Sequence, residues 1–385
     1  MDFVFNTSPN ICCRQGASDR LGPLATKLLG SEILFVTDKG LVDLGLTDKP
    51  IKSLRESGCT VTIFDGTEPD PSLKILEQAI AKALDIKATG IIGFGGGSSM
   101  DLAKLAALVA GSGENLDEAW GVGLAKGPRL PLVLVPTTAG TGSEVTPVSI
   151  ITVGGDEKRG VSSPVILPDL AILDAGLTTG LPQHITAATG IDAMVHAIEA
   201  YTSRAKNSNP MSKMLAVEAL KLLGANIKTV CFDGNNIEAR EAMLLGSMLA
   251  GMAFANSPVA AVHALAYPIG GMFHIPHGLS NALVLKEVMR FNSPVCSSEY
   301  AELAPHIFPD LANETSSQAI CSALIERLGK LSKEIGLQQG LREVGITRDD
   351  LPIMAKAAMK QTRLLVNNPR EVSESDALSI YKAAW

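Results

Sequence analysis

Apolar residues along this chain follow two different rhythms. Over about the first 180 residues, short runs that are apolar at every position alternate with stretches at helical spacing. EILFVTDKG reads as a strand ending in a turn, and TVTIFDG as a second strand after the helical stretch LVDLGLTDKPIKSLRESG. SLKILEQAIAKALDI is helical, TGIIGFGGG is a buried strand, SMDLAKLAALVAG is helical again, and LPLVLVPTT is another continuous apolar strand. Strands without alternation, separated by helices, predict a parallel sheet covered on both faces.

From about residue 183 only the helical rhythm remains, in HITAATGIDAMVHAIEAYTS, SKMLAVEALKLLGANIKTV, EAREAMLLGSMLAGMAFA and ALIERLGKLSKEIG. IFDGTEPDPS and AYPIGGMFHIPHG read as non-helical loops, and Gly180 and Pro182 in LTTGLPQH punctuate the change of rhythm. The expected architecture is an α/β parallel-sheet domain over residues 1–182 followed by an all-helical domain over residues 183–385.

Composition narrows the class. Hydrophobic residues make up 46% of 385 residues, ample for two cores, which excludes a disordered chain. Aromatics are scarce, which favours packed helices and α/β units over a β-sandwich. A net charge of −7 without a basic run offers no general attraction for nucleic acid. The six cysteines are scattered without C-x-x-C spacing and read as reduced thiols. The start, MDFVFNTSPN, lacks the basic and apolar regions of a secretory signal, and no stretch of about 18 apolar residues reads as a membrane span. A cytoplasmic location is expected.

Chemistry-bearing residues concentrate at two places. GFGGGSSMDLAKLAA sets Gly95, Gly96 and Gly97 between a strand and a helix, where backbone without side chains admits a diphosphate to the N–H groups of the helix start. Ser98 and Ser99 add hydroxyls. The spacing departs from G-x-G-x-x-G, so a variant of the nucleotide fold is expected. A second loop, PTTAGTGSEVT, offers Thr137, Thr138, Thr141 and Ser143 to ribose or phosphate; the competing reading is a turn that bonds its own backbone. Asp38, ending ILFVTD, suits an adenosine ribose and would repel a 2′-phosphate, favouring NAD over NADP; its competing role is a helix N-cap.

The second place is ATGIDAMVHAIEAY, where Asp192 and His196 stand four apart and share a helix face. His263 lies in AVHALAYP and His277 in IPHGLSNA, fourteen residues later; three of the chain's six histidines thus join one carboxylate. Such a set suits a divalent transition metal with room for a substrate oxygen. A lone histidine is more often a satisfied structural residue, and the cluster is what lifts this set above that reading. An alcohol must lose its hydroxyl proton as hydride leaves carbon, and a metal stabilises the alkoxide or polarises the carbonyl in reverse. His184 and His306, the glutamates of EAREAM and ELAP, and Glu144 in GSEVT read as structural or solvated.

The motifs GGGSSMDLAK, PTTAGTGSEVT, TAATGIDAMVHAIEAY, HALAYPIGG with IPHGLSNA, and NNPR together resemble the iron-containing (group III) alcohol dehydrogenases over nearly the whole chain. The resemblance implies a Rossmann-like, dehydroquinate-synthase-like N-terminal domain and a helical C-terminal domain. It also implies NAD, a catalytic Fe²⁺ (in some members Zn²⁺ or another divalent ion), a small alcohol or aldehyde substrate and a homodimer. It makes Asp192, His196, His263 and His277 the metal ligands. Gly95, Gly96, Gly97 and Ser98 become the pyrophosphate loop, Asp101 its acid, and Thr137, Thr138 and Ser143 the second nucleotide loop. Lys158, counted back from LDAGL across a divergent stretch, matches a lysine near the cofactor, and Asp38 the acid of NAD preference. One departure stands out. Where many members carry a histidine four residues after the third ligand, this chain has Tyr267. Tyr267 or His274, three residues before His277, is then the candidate for the missing proton relay, against a buried, satisfied ring for Tyr267.

The expectation is an NAD- and metal-dependent alcohol dehydrogenase. AYPIGG and PHGLS also resemble the hydroxyacid–oxoacid transhydrogenase branch, which makes oxidation of a hydroxy acid with bound nicotinamide the alternative. A metal-dependent lyase on the same scaffold, or a non-enzymatic protein, fits less well with an intact set of one Asp and three His.

Overall fold

The computed structural model describes residues 2–154, 157–314 and 316–385. The chain divides into two compact units. One is Asn6–Thr179; the other runs from Gly180 to Trp385 and takes in the first residues up to Phe5. Within that second unit, the Val4 N–H donates to Asn207 Oδ1 and the Asn207 amide donates back to the Val4 carbonyl, each at 2.9 Å.

The first unit contains nine strands among its described residues: β1 (Ile11–Cys13), β2 (Glu32–Val36), β3 (Thr60–Phe64), β4 (Gly90–Gly95), β5 (Gly121–Val122), β6 (Leu132–Pro136), β7 (Val148–Val153), β8 (Glu157–Ser162) and β9 (Leu170–Leu173). Six of them form a parallel sheet in the order β1-β9-β6-β4-β2-β3. Its central strands β4 and β6, and β2 beyond Glu32, are apolar because both faces are covered. Leu34, Val36, Ile91, Leu132 and Leu134 enter one core with Leu76, Ala79, Leu102 and Leu105 of the flanking helices. Their neighbours Ile33, Phe35, Ile92, Phe94, Val133 and Val135 enter the other, with Leu21, Ala25, Leu29 and Leu54. Successive side chains alternate faces, so a strand buried on both sides has no polar position. Each such side chain contributes about 1.5–3 kcal/mol by leaving water.

The chain leaves β2 toward β3 on one side and β4 toward β6 on the other. Connection direction therefore reverses between β2 and β4, the place where open α/β sheets bind ligands beyond their carboxyl ends. β5, β7 and β8 form a second sheet, with β7 and β8 antiparallel. The apolar rhythm gave no sign of this hairpin, because EKRGVS is largely polar and VSIITV is only half-buried.

The second unit is helical. Gln183–Thr202 runs through its middle, with 16 of 20 residues buried, which is why it shows almost no polar face. Small residues let its neighbours close in: a Cβ at Gly190 would lie 3.0 Å from Ile227 and Met243. AYPIGGMF, expected as a loop, is instead the second half of the helix Ala261–Phe273, with Pro268 inside it. Burial of Ala264, Leu265, Ala266, Pro268 and Ile269 overrides the local breaker signal. Among the described residues no single helix is long and apolar enough to cross a membrane.

Candidate functional site

Three helices of the second unit converge on one cluster. Asp192 and His196 stand one turn apart on Gln183–Thr202, His263 is the third residue of Ala261–Phe273, and His277 is the first of His277–Ile307. One ligand atom from each lies within 4.8 Å of all the others. The Nε2 atoms of His263 and His277 stand 3.9 and 3.8 Å from Asp192 Oδ1. The His196 ring stacks between Phe254 and His263, at centroid distances of 4.4 and 4.7 Å.

The residues around the cluster orient it. Glu199, one turn beyond His196 and buried, accepts from the Ala260 and Val262 N–H groups at 3.0 and 2.7 Å. Its Oε2 also faces His263 Nδ1 at 2.7 Å. A carboxylate there holds the proton on Nδ1 and leaves the Nε2 lone pair toward the cluster. Glu199 thus fixes both the start of the helix that carries His263 and the tautomer of that ring. Asn281, fully buried, donates its amide to Asp192 Oδ1 at 2.6 Å and lies 3.2 Å from His277 Nε2. Burial pushes the Asp192 carboxyl upward, but the fields of His196, His277 and His263, with the Asn281 bond, outweigh it and hold the group below the usual carboxylate range. Sequence reasoning missed Glu199 and Asn281; the spacing Asp192, His196, Glu199 along one helix face is the signal that could have found the first.

The donor set fits a divalent cation. His263 Nε2 is buried and makes no hydrogen bond, an arrangement that costs about 1–3 kcal/mol unless something accepts the lone pair. One carboxylate and three imidazoles are the donors that Fe²⁺, Zn²⁺ and neighbouring ions take.

Tyr267 follows His263 by one turn on the same helix; its ring is half-buried, 6.0 Å from the His277 ring, and its hydroxyl accepts from Arg363 Nη2 at 3.3 Å. His274 caps that helix with left-handed backbone (φ 56) and an exposed side chain. His184 is exposed and His306 half-buried, both apart from the cluster.

In the first unit, the glycine loop sits where β4 passes into the helix Gly97–Ser112, whose N-terminus no side chain caps. Its leading N–H groups are left for another acceptor. The three glycines are there for different reasons. A Cβ at Gly95 would meet Ser99 Oγ at 2.6 Å, and one at Gly97 would meet Thr141 Cγ2 at 2.9 Å. A Cβ at Gly96 would find only ordinary contact with Thr138, at 3.7 Å and beyond, so the protein itself does not demand glycine there. Close approach by a bound group is the remaining physical reason. The second loop lies alongside because β6 neighbours β4, and the Thr137 N–H donates to the Gly95 carbonyl at 2.9 Å.

Asp38 follows β2 and does cap a helix: its Oδ1 accepts from the Leu41 N–H at 3.0 Å, leaving Oδ2 without a protein partner among the described residues. Asp101 and Ser143 are engaged with each other. Ser143 Oγ donates to Asp101 Oδ1 at 2.7 Å, and Asp101 Oδ2 accepts from the Ile150 N–H at 2.8 Å. Lys104, fully buried, donates to Ser143 Oγ and the Val148 carbonyl, both at 2.7 Å. These residues lock the two loops to β7. Lys158, at the start of β8, pairs with Asp70.

Glu144 lies in the same buried region, 1% exposed, with Oε1 unbonded. Burial pushes its carboxyl up to about 7, against its own backbone N–H and the Lys104 charge. Burial likewise pushes Lys104 down to about 8, against Asp101 and Glu144, and pushes Asp101 upward against Lys104, Ser143 and Ile150. The protonated form of Glu144 therefore favours the fold below about 4.5, and that contribution is lost as pH rises through about 7. Lys104 acts at higher pH, where stability is regained above about 8 as the fold prefers the neutral amine. Glu144→Gln is expected to remove a fall in urea-unfolding free energy of about 1–3 kcal/mol between pH 4.5 and 7. An unchanged slope in the variant would contradict this account of Glu144.

Known proteins resemble this chain over nearly its whole length. The sequence matches the iron-containing alcohol dehydrogenase family over residues 8–175 and the C-terminal part of the Fe-containing alcohol dehydrogenase family over residues 186–385. It is 40% identical to long-chain-alcohol dehydrogenase 1 of Geobacillus thermodenitrificans over 96% of this chain and 93% of that protein. The fold superposes on a crystal structure of 1,3-propanediol oxidoreductase with a TM-score of 0.94, 35% identity and full coverage of both chains. It also superposes on sulfoacetaldehyde reductase from Bifidobacterium kashiwanohense in complex with NAD⁺, with a TM-score of 0.87, 28% identity, and coverage of 100% of this chain and 99% of that one. Ligand cluster, glycine loop and full-length matches lead to one conclusion: the chain belongs to the iron-containing alcohol dehydrogenase family, oxidoreductases that act on CH–OH donors.

Proposed function

We propose that this protein is an NAD-dependent, divalent-metal-dependent alcohol dehydrogenase that interconverts a small alcohol and its aldehyde or ketone. The observation that carries the reading is the buried convergence of Asp192, His196, His263 and His277, with His263 Nε2 left without a hydrogen bond. A cation held by these four residues would supply charge to polarise a substrate oxygen, and a bound nicotinamide would supply or take the hydride.

The chain's own residues do the rest. Glu199 keeps His263 in the tautomer that presents Nε2, and Asn281 holds the Asp192 carboxylate in place. The uncapped helix start at Gly96, Gly97 and Ser98 binds the diphosphate, with Thr137 and Thr138 beside it. Asp101 and Ser143 support that loop from behind through their mutual hydrogen bond. Asp38 Oδ2 accepts from an adenosine ribose hydroxyl, which is the basis for NAD over NADP. Lys158, tied to Asp70, adds positive charge on the cofactor side. Tyr267, rather than the exposed His274, relays the hydroxyl proton: it stands beside His277, and its oxygen takes the proton from the substrate side as its own O–H proton passes to water, with the Arg363 bond holding that oxygen in place.

The test is NADH formation by the metal-loaded protein on a panel of short alcohols, diols and hydroxy acids. Turnover that needs added NAD supports the reading. Oxidation of a hydroxy acid that needs a 2-oxo acid and no added NAD would replace it with the transhydrogenase.

A further inference from the structure

Arg363 is a cation linked to the Asp192, His196, His263 and His277 cluster through the side chain of Tyr267. Its side chain is exposed, and among the described residues no carboxylate pairs with it. Its contacts are the Tyr267 hydroxyl, 3.3 Å from Nη2, and the Tyr267 ring, whose centroid lies 6.0 Å from the guanidinium carbon. The Tyr267 ring in turn lies 6.0 Å from that of the ligand His277.

The backbone holds Arg363 in this position. Asn367, buried, donates its amide to the Arg363 carbonyl and to the Val259 carbonyl, each at 3.0 Å. Val259 lies just before the helix that carries His263 and Tyr267. The turn bearing Arg363 is thereby tied to the lead-in of the metal helix. A guanidinium offers five donors in a planar fork, and Tyr267 Oη occupies one of them. The remaining donors match the oxygens of a carboxylate or sulfonate.

We propose that Arg363, with Tyr267, selects substrates that carry an oxyanion in addition to the reacting alcohol or carbonyl: short hydroxy-sulfonates, hydroxy-carboxylates and their aldehydes. The inference rests on the dehydrogenase reading above and deepens it by naming a substrate class. A charge-assisted bond that forms in both ground and transition states acts on KM.

The experiment compares 2-hydroxyethanesulfonate and 3-hydroxypropanoate with ethanol and 1-propanol in wild type, Arg363→Gln and Arg363→Lys, all metal-loaded. The readout is the ratio of kcat/KM for the anionic and neutral alcohol of equal length. We expect that ratio to favour the anion in wild type and to fall about 10- to 100-fold in Arg363→Gln, through KM, with partial recovery in Arg363→Lys. The sulfonate and carboxylate arms show which oxyanion is read. Calorimetric titration of 2-hydroxyethanesulfonate into wild type and Arg363→Gln reads the same site without turnover. A wild type indifferent to charge, or a ratio unmoved by Arg363→Gln, overturns the proposal. Arg363-dependent binding without NADH from any alcohol would support the anion site and overturn the dehydrogenase reading instead.

Discussion

Replacing His263 by Ala is expected to lower kcat/KM for alcohol oxidation by about 10³-fold and to leave the purified protein with little bound metal. A catalytic cation supplies several kcal/mol of charge stabilisation, and each 1.36 kcal/mol is a factor of ten in rate. His263 is the ligand for which the structure gives the clearest warrant, because its Nε2 is buried and unbonded while Nδ1 is held by Glu199. The fold should survive the change. Glu199 keeps the Ala260 and Val262 N–H groups as donors, so the start of the helix Ala261–Phe273 remains tied. Metal content by elemental analysis, circular dichroism and steady-state rates check this together. His184→Ala, at an exposed position remote from the cluster, is the control and should stay within about 2-fold of wild type in both metal content and rate. A His263→Ala protein that retains its metal and its rate would remove His263 from the ligand set.

Gly278→Ala should be nearly as damaging although no ligand changes. By helix propensity alone, Ala in place of Gly stabilises a helix by up to about 1 kcal/mol. Here packing reverses that sign. A Cβ at Gly278 would lie 2.4 Å from the Ala188 carbonyl oxygen, 2.8 Å from its carbon and 3.3 Å from Asp192 Cβ. The two nearest are backbone atoms of a buried helix and have nowhere to go. The helix start carrying His277 must therefore move roughly 1 Å from the helix carrying Asp192 and His196, a displacement that can cost about 10²-fold in rate. We expect kcat/KM to fall by about that factor, metal affinity to weaken, and overpacking to lower the unfolding free energy by about 1–3 kcal/mol. An unchanged or raised Tm with wild-type metal affinity would show that the helices absorb the methyl group.

These two substitutions also mark how far the sequence could be read. Asp192 and His196 were legible from spacing because a helix places residues four apart on one face. His263 and His277 were legible only as residue types and by family resemblance. What brings them to Asp192 is the close pass of Gly278 against Ala188 and the grip of Glu199 on the residues before His263, and neither leaves a periodic trace. The parallel sheet was legible because strands covered on both faces lack alternation, whereas the β7–β8 hairpin, half-buried and largely polar, was not. AYPIGGMF was misread because proline and glycine signal breaks locally, while burial of Ala266, Pro268 and Ile269 kept the helix intact.

The nucleotide half teaches a related lesson. Three glycines in a row look alike in sequence, yet Gly95 and Gly97 answer to Ser99 and Thr141, and Gly96 alone leaves room for a Cβ, in ordinary contact with Thr138. Asp101 and Ser143, expected at the cofactor loops, are also bonded to each other and to Ile150 and Lys104, partners three to forty-nine residues away. Long-range hydrogen bonding of this kind, like the approach of Arg363 to Tyr267 ninety-six residues earlier, has no local signature.

The measurement that bears most directly on the central claim is an anaerobic titration of metal-stripped protein with Fe²⁺, following NADH formation from the best alcohol and bound metal together. No turnover is expected without metal, then activity that rises in proportion to bound metal and levels near one equivalent per chain. Turnover by the stripped protein, or stoichiometric metal binding that brings no NADH, would contradict it.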